Sequence, residues 1–398
     1  MKLGLMLDVL QGPPDVGPEG YGLGGMERHT VALMRAALEE GDEVVLAGLR
    51  GKIDRRLVPE GVTCLEIKAP SGRPERDMAF AEQAPAALRE AGCHRVLAFR
   101  HATDCDVYMP HGGLVDDARN AGDAAVGGPS RWTRIARAFS RKHAFFLEAE
   151  AKLLGDREGP LVIAVSSTLG ARIRQQYPST TGRVQVVVNG VDTEFFHPEA
   201  SAEEGRALRA RLVEGEALIG LLVAHRPRLK GAEAAIRALA EGPIDDIDRP
   251  VHLLVAGGRL DRGLRRLVRE LGLGARVHEV GRHADMRTLY AASDVLVHPT
   301  YHDPCSLVCL EGLAMGRPVI TTPQNGVRDV MGQRGGIVVE EPGNPEALAM
   351  ALRVLADPAL YEVTADDARY LALRNRESTR LQRVLDWCRG AARWQPMA

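Results

Sequence analysis

The sequence predicts an α/β protein of two doubly wound domains, each a parallel sheet with helices on both faces. Three observations predict this. At 398 residues the chain is long enough for two cores, on a scale of about 150 residues per domain. Short apolar runs alternate with helical patterns from end to end, as when parallel strands are joined by crossover helices. Several of those runs end in loops rich in Gly, Pro or charge, and open α/β sheets bind ligands at the carboxyl ends of their strands.

Composition narrows the function. Hydrophobic content of 45% and charged content of 26% are ordinary for a globular protein. The 51 basic and 53 acidic residues leave a net charge of −2, which gives no support to a nucleic-acid binder. No apolar run approaches the roughly 20 residues that span a bilayer. The start, Met1-Lys-Leu-Gly-Leu-Met-Leu-Asp8, reads as a buried strand rather than a signal peptide. Six cysteines, at 64, 93, 105, 305, 309 and 388, form no disulfide framework. Cys305 and Cys309 lack the second pair a zinc site needs, so reduced thiols in a cytoplasmic protein are expected.

In chain order, Leu3 to Val9 is the first expected strand. A Gly/Pro-rich loop follows, then a helix from about Met26 to Leu38, stopped by Gly41, and a strand from Glu43 to Ala47. Gly20, Gly22, Gly24 and Gly25 are spaced like part of a dinucleotide fingerprint. The loop is too long for one, and Leu49-Arg50 lacks the acid that grips an adenosine ribose. Gly24 and Gly25 before a helix still suit close approach to a phosphate. Arg95 to Phe99 is another strand. It leads to Asp106-Val-Tyr-Met-Pro-His111-Gly-Gly, where a His just past a strand is placed to point into a cleft. Leu161 to Val165 and Val184 to Val188 are strands, and Thr193 to Glu204 reads as the linker.

The stretch from Arg131 to Phe146 has an amphipathic pattern. Trp132, Ile135, Phe139 and Phe146 share one face, with Arg134, Arg137 and Arg141 opposite and Arg131 and Lys142 at the margin. Two readings stay open: a core-packed helix with a solvated basic face, or a surface for anionic lipid or a phosphorylated acceptor.

The second half repeats the alternation. Ala217 to Ala224 is a strand, followed by the basic loop His225-Arg-Pro-Arg-Leu-Lys-Gly231 and a helix through Leu239. His252 to Ala256 and Val277 to Gly281 are further strands. The most informative stretch is Pro299 to Glu311, Pro-Thr-Tyr-His-Asp-Pro-Cys-Ser-Leu-Val-Cys-Leu-Glu. A helix is expected to begin near Ser306, with Leu307, Leu310, Leu313 and Ala314 at helical spacing. Its first amides have no partner inside the helix and suit a phosphate. Glu311, a turn on, could take the two hydroxyls of a ribose, and Asp303 faces the far side of such a ligand. Two carboxylates flanking a helix start suit a nucleotide-sugar.

These segments, with Asn189-Gly-Val-Asp192 and Ser293-Asp294, stand in the order found in one family. The chain resembles the retaining glycosyltransferases of family 4, with the two-domain GT-B fold. Leu296-Val-His-Pro-Thr-Tyr and the text around Asp106-Val-Tyr look closest to the lipopolysaccharide-core glucosyltransferase I branch. The resemblance implies two Rossmann-like domains facing a central cleft: an acceptor-binding domain over 1–195, a nucleotide-sugar domain over 196–375, and a helix over 376–398 returning to the first. It implies that Arg228 and Lys230, with Arg226 as an extra candidate, hold the donor diphosphate in place of a metal ion. Cys305, Ser306 and Leu307 would offer backbone amides to the same phosphates. Glu311 would hold the ribose, and Gly281-Arg282 would lie by the base. Gly24 and Gly25 would close over the β-phosphate, and His111 would contact the donor sugar near the reacting carbon.

Two departures stand out. The family's first carboxylate is usually Glu and here is Asp303, one methylene shorter. The usual Phe-Gly after it is Cys305-Ser306. The expected activity is retaining transfer of a hexose, glucose by preference, from a UDP-sugar to an acceptor hydroxyl, in lipopolysaccharide core or another cell-surface glycan. No cofactor or metal is expected; the partners are the donor, a glycan or glycolipid acceptor and, on the second reading of Arg131–Phe146, an anionic membrane surface at its inner face. The rivals are a UDP-sugar 2-epimerase on the same fold and a non-catalytic sugar-nucleotide-binding module.

Overall fold

The computed structural model of the protein describes residues 1–12, 16, 23–100, 102–128, 140–283 and 285–390. They form two compact units. One contains Met1–Arg119, Pro129–Val188 and Ser378–Ala398, the other Asn120–Gly128 and Asn189–Glu377.

The first unit is built on a parallel sheet of β1 (Lys2–Met6), β2 (Glu43–Leu49), β3 (Thr63–Ile67), β4 (Arg95–Ala98), β5 (Val107–Tyr108), β6 (Leu161–Ala164) and β7 (Val184–Val186). Their order is β3-β2-β1-β4-β5-β6-β7. Central strands read as unbroken apolar runs because both faces are covered: Leu3, Leu5, Val96, Leu97, Val162 and Ile163 are all fully buried. The order reverses between β1 and β4, the kind of point at which open α/β sheets bind ligands at the carboxyl edge. The helix Gly25–Glu39 starts directly after Gly24 and buries Val31, Leu33 and Met34. It also buries Arg28 and His29, which the helical pattern did not require. Gly41, at φ +79°, supplies the left-handed turn that ends it.

The second unit carries β8 (Leu218–Ala224), β9 (Val251–Gly257), β10 (Val277–Gly281), β11 (Val295–His298), β12 (Val319–Thr321) and β13 (Gly336–Val338). The order is β10-β9-β8-β11-β12-β13, again all parallel. Its reversal lies between β8 and β11. The loops that leave those strands are Arg226–Gly231 and Pro299–Ser306, so the topology alone brings them together. Gly231 marks the crossing. Its φ is +79°, and a Cβ there would stand 2.1 Å from the Pro299 carbonyl oxygen. Only glycine combines that backbone with that approach.

Two sequence expectations need correction. The first strand ends at Met6, not Val9. Of the helix expected over Arg131–Phe146 only the end is described: it belongs to a helix Arg141–Gly155 that runs on past Phe146, and Ser140 caps it by accepting the His143 amide. A serine whose oxygen satisfies a free first-turn amide starts a helix there. Lys142 on this helix is paired with Asp77 and lies over the buried ring of Phe146. Arg131, Trp132, Arg134, Ile135, Arg137 and Phe139 lie outside the described residues.

Candidate active site

The site is assembled by the two loops at the second unit's reversal. Lys230 Nζ donates to Asp303 Oδ2 at 2.7 Å and to the His302 carbonyl at 3.0 Å. His298, the last residue of β11, sits 1% exposed with Nε2 3.3 Å from the same Asp303 oxygen. Burial alone would raise the Asp303 carboxyl. The Lys230 ammonium and the His298 hydrogen bond outweigh it and hold that carboxyl far below the ordinary range. Burial also keeps the His298 ring neutral against the pull of Asp303. A neutral ring that donates through Nε2 leaves Nδ1 unprotonated, and Nδ1 is closed from solvent with no partner among the described residues.

Asp303 is fixed from the backbone as well. Its amide donates to the Gln324 carbonyl, and its carbonyl accepts the Gly326 amide. Asn325, fully buried between them, donates to Thr321 Oγ1 and accepts the Ser306 amide at 3.2 Å. This corrects the expectation that Cys305, Ser306 and Leu307 would all present amides to a phosphate. The Ser306 amide is turned inward to a side chain that the sequence reading did not single out. The Cys305 carbonyl accepts from Asn189 Nδ2 at 2.8 Å, tying the loop to the start of this unit's chain.

The helix itself runs Leu307–Ala314 with Ser306 at the cap position. Glu311 lies one turn in, 7% exposed, and Tyr290 donates its hydroxyl to Oε2 at 2.7 Å. Arg228 is already engaged: Nε and Nη2 donate to Asp261 at 2.5 and 3.0 Å, and Nη1 donates to Glu233 at 2.8 Å. The guanidinium's hydrogen bonds hold Asp261 down at about 2. Arg226 and Arg282 are exposed, and Gly281 has φ +69° with open space where a Cβ would stand.

The first unit holds the other predicted residues. Gly24 caps the helix Gly25–Glu39 in extended conformation, and Gly25 is exposed. His111 follows β5, its amide bonded to the Met109 carbonyl at 2.8 Å. Its ring stands 4.8 Å from that of His29 and 5.5 Å from that of Phe99. Among the described residues no group of three or more His, Cys, Asp or Glu is placed to hold a metal ion.

Residues 23–195 match Glycosyltransferase Family 4, and residues 217–357 match Glycosyl transferases group 1. The chain thus carries a Glycosyltransferase Family 4 domain followed by a Glycosyl transferases group 1 domain. The D-inositol 3-phosphate glycosyltransferase of Corynebacterium urealyticum is 30% identical over 197 residues, 47% of this chain and 46% of its own. The lipopolysaccharide glucosyltransferase WaaG of Escherichia coli K12 is 29% identical over 206 residues, 51% of this chain and 54% of its own. The matched part therefore spans about half the length of these curated relatives. A crystal structure of WaaG, a glycosyltransferase involved in lipopolysaccharide biosynthesis, superposes with TM-score 0.77 at 21% identity, covering 98% of this chain and 100% of that one. Anabaena Alr3699/HepE in complex with UDP-glucose does so with TM-score 0.70 at 18% identity, covering 98% and 100%. At those identities the likeness is one of fold, the GT-B fold expected from the sequence.

The candidate site contains partners that sequence reasoning missed. His298 stood inside a quoted run but read as an ordinary strand residue. Asn325, Tyr290, Glu233 and Asp261 carry no local motif; only the folded chain brings them to Ser306, Glu311 and Arg228.

Proposed function

We propose that this glycosyltransferase moves a hexose, glucose by preference, from a UDP-sugar to an acceptor hydroxyl with retention at the anomeric carbon and without a metal ion. The observation that carries the reading is the Lys230–Asp303–His298 cluster beside the start of the helix Leu307–Ala314, at the strand-order reversal of the second unit. It offers a fixed cation next to helix-start amides, and fixed charges aimed at a leaving diphosphate stabilise it most where water is scarce.

In this reading Lys230 and Arg228 take the diphosphate, with Arg226 and the amides of Cys305 and Leu307. Glu311, oriented by Tyr290, takes the ribose, and Gly281-Arg282 lies by the base. Asp303 contacts the hexose while it also positions Lys230. Gly24, Gly25 and His111 are the first unit's contributions to donor binding. The departing phosphate removes the acceptor proton on the face it leaves, so no protein base is needed. The relatives' names support a sugar-like acceptor, and we take it to be a glycan or glycolipid at the inner membrane face. Among the described residues no helix is long and apolar enough to cross a membrane. Binding to an anionic surface would fall to the stretch 131–146, with Arg141 exposed. Sedimentation with anionic vesicles at low and high salt tests it: salt-released binding supports it, and no binding at low salt removes it.

A donor screen for released UDP, with and without candidate acceptors, tests the activity. Acceptor-dependent release from UDP-glucose is expected. Acceptor-independent conversion of the sugar would favour the 2-epimerase, and UDP binding without turnover of any donor would favour a binding module.

A further inference from the structure

The first unit contains a buried basic cluster that the proposed chemistry does not use. The segment Ser378–Ala398 belongs to this unit. From the helix Glu377–Arg389, Arg380 enters the core 5% exposed, and its Nη1 stands 2.5 Å from His29 Nδ1. Arg380 Nη2 also reaches Met109 Sδ at 3.9 Å, just two residues before His111. His29 in turn lies 1% exposed against the rings of His111 and Phe99. Arg380 Nη1 also stands 3.1 Å from His29 Nε2; arginine can only donate, so one of the two ring nitrogens must accept and His29 is neutral. The His111 Nε2 atom is closed from solvent without a partner among the described residues.

We propose that Arg380 and His29 are positioning residues that hold His111 as a neutral imidazole, so that it meets the donor sugar as a hydrogen-bonding group and never as a cation. The inference rests on the reading of His111 as a donor contact. It stands on geometry: a guanidinium locked onto one imidazole, which packs on the second. The charged and titratable groups facing His111 are His29 from the helix Gly25–Glu39, Arg380 from the C-terminal helix and Arg100 after β4, while Arg28 acts on His29. None is an acid, and Asp8 is turned to Arg100 at 3.4 Å. Burial first, then Arg380 and Arg100, push the His111 ring well below its ordinary value. A neutral ring avoids repulsion from an oxocarbenium-like carbon, which a cationic ring beside it would oppose.

The test is the pH dependence of His111 in the intact protein. In the wild type, the His111 ring carbon shift followed by NMR should not titrate between pH 8 and 5.5, and kcat/KM should be flat there. Arg380→Met should raise the His111 titration toward that window, burial still holding it below its ordinary value, and impose a fall in kcat/KM toward pH 5.5 that the wild type lacks. Arg380→Lys, which keeps a cation, should restore the flat profile. A wild-type His111 that titrates near its ordinary value overturns the proposal, whether or not Arg380→Met folds. So does an Arg380→Met profile as flat as the wild type. His111→Ala separates the two layers: full activity in that variant removes the donor contact itself, while the wild-type titration still decides the electrostatics.

Discussion

Lys230 Nζ lies 2.7 Å from Asp303 Oδ2, with the two side chains 20% and 15% exposed. The loop after β8 thus supplies a cation and the loop after β11 its counter-ion, without any ligand. Removing one partner strands the other's charge. We expect Lys230→Met and Asp303→Asn each to lower folding stability by about 1–3 kcal/mol, and the double variant to lose clearly less than their sum. Urea denaturation of the four proteins measures the coupling; strict additivity would mean the ion pair adds nothing.

Turnover should depend on Lys230 more than on stability. Loss of a charge-assisted contact to the leaving diphosphate costs about 2–4 kcal/mol in a dry site, so Lys230→Ala should cut kcat/KM by a factor on the order of 10²–10³. Arg228 is held by Asp261 and Glu233 and should cost as much when replaced by Ala. Asp261→Asn, which loosens Arg228 without removing it, should stay within about threefold by the same scale. Initial rates with saturating acceptor check this; near-normal rates for both Ala variants would remove the diphosphate assignment.

Tyr290 has its hydroxyl 2.7 Å from Glu311 Oε2 in the core of the second unit. Tyr290→Phe keeps the ring and removes that bond together with the hydroxyl's 3.2 Å contact to the Val308 carbonyl. A buried hydrogen bond to a charged group contributes about 1.5–3 kcal/mol, so UDP affinity should fall at least about tenfold. A calorimetric titration giving unchanged affinity would mean Glu311 needs no orienting partner.

Stability should fall with acid from an unusually high pH. His29, His111 and His298 are all pushed below 6.5 by burial first. Each therefore binds a proton more readily in the unfolded chain. Their contribution is whole above about pH 6.5 and is lost as pH falls below it. Asp303 and Asp261, held below 3.8, begin to lose theirs only under about pH 4. Thermal melts from pH 8 to 5 should show Tm dropping between 6.5 and 5, and less so in His29→Asn. A Tm that is flat or rises over that range would contradict the burial of three neutral rings.

The sheets were legible because their cause is local: the apolar runs Glu43 to Ala47 and Ala217 to Ala224 read as covered strands. The helix start at Ser306 was legible for the same reason, since its apolar spacing begins at Leu307. What could not be read was who occupies each polar group after folding. Ser306 looked free in sequence because Asn325 is 19 residues away, and Arg228 because Asp261 is 33 away. His29 lay on a helix whose apolar face was already accounted for, and Arg380 is 351 residues from it. Only chain topology makes them neighbours. The stretch 131–146 was read without its cap: Ser140 starts a helix that runs on to Gly155, and most of the amphipathic pattern lies outside the described residues.

The most direct test of the account is a calorimetric titration of the purified protein and its Glu311→Ala and Asp303→Ala variants with UDP and with UDP-glucose. The account predicts saturable binding of both ligands by the wild type and loss of both in Glu311→Ala. It predicts that Asp303→Ala keeps most of its UDP affinity while losing the added affinity for UDP-glucose. Failure of the wild type to bind UDP, or equal losses of both ligands in the two variants, would contradict it.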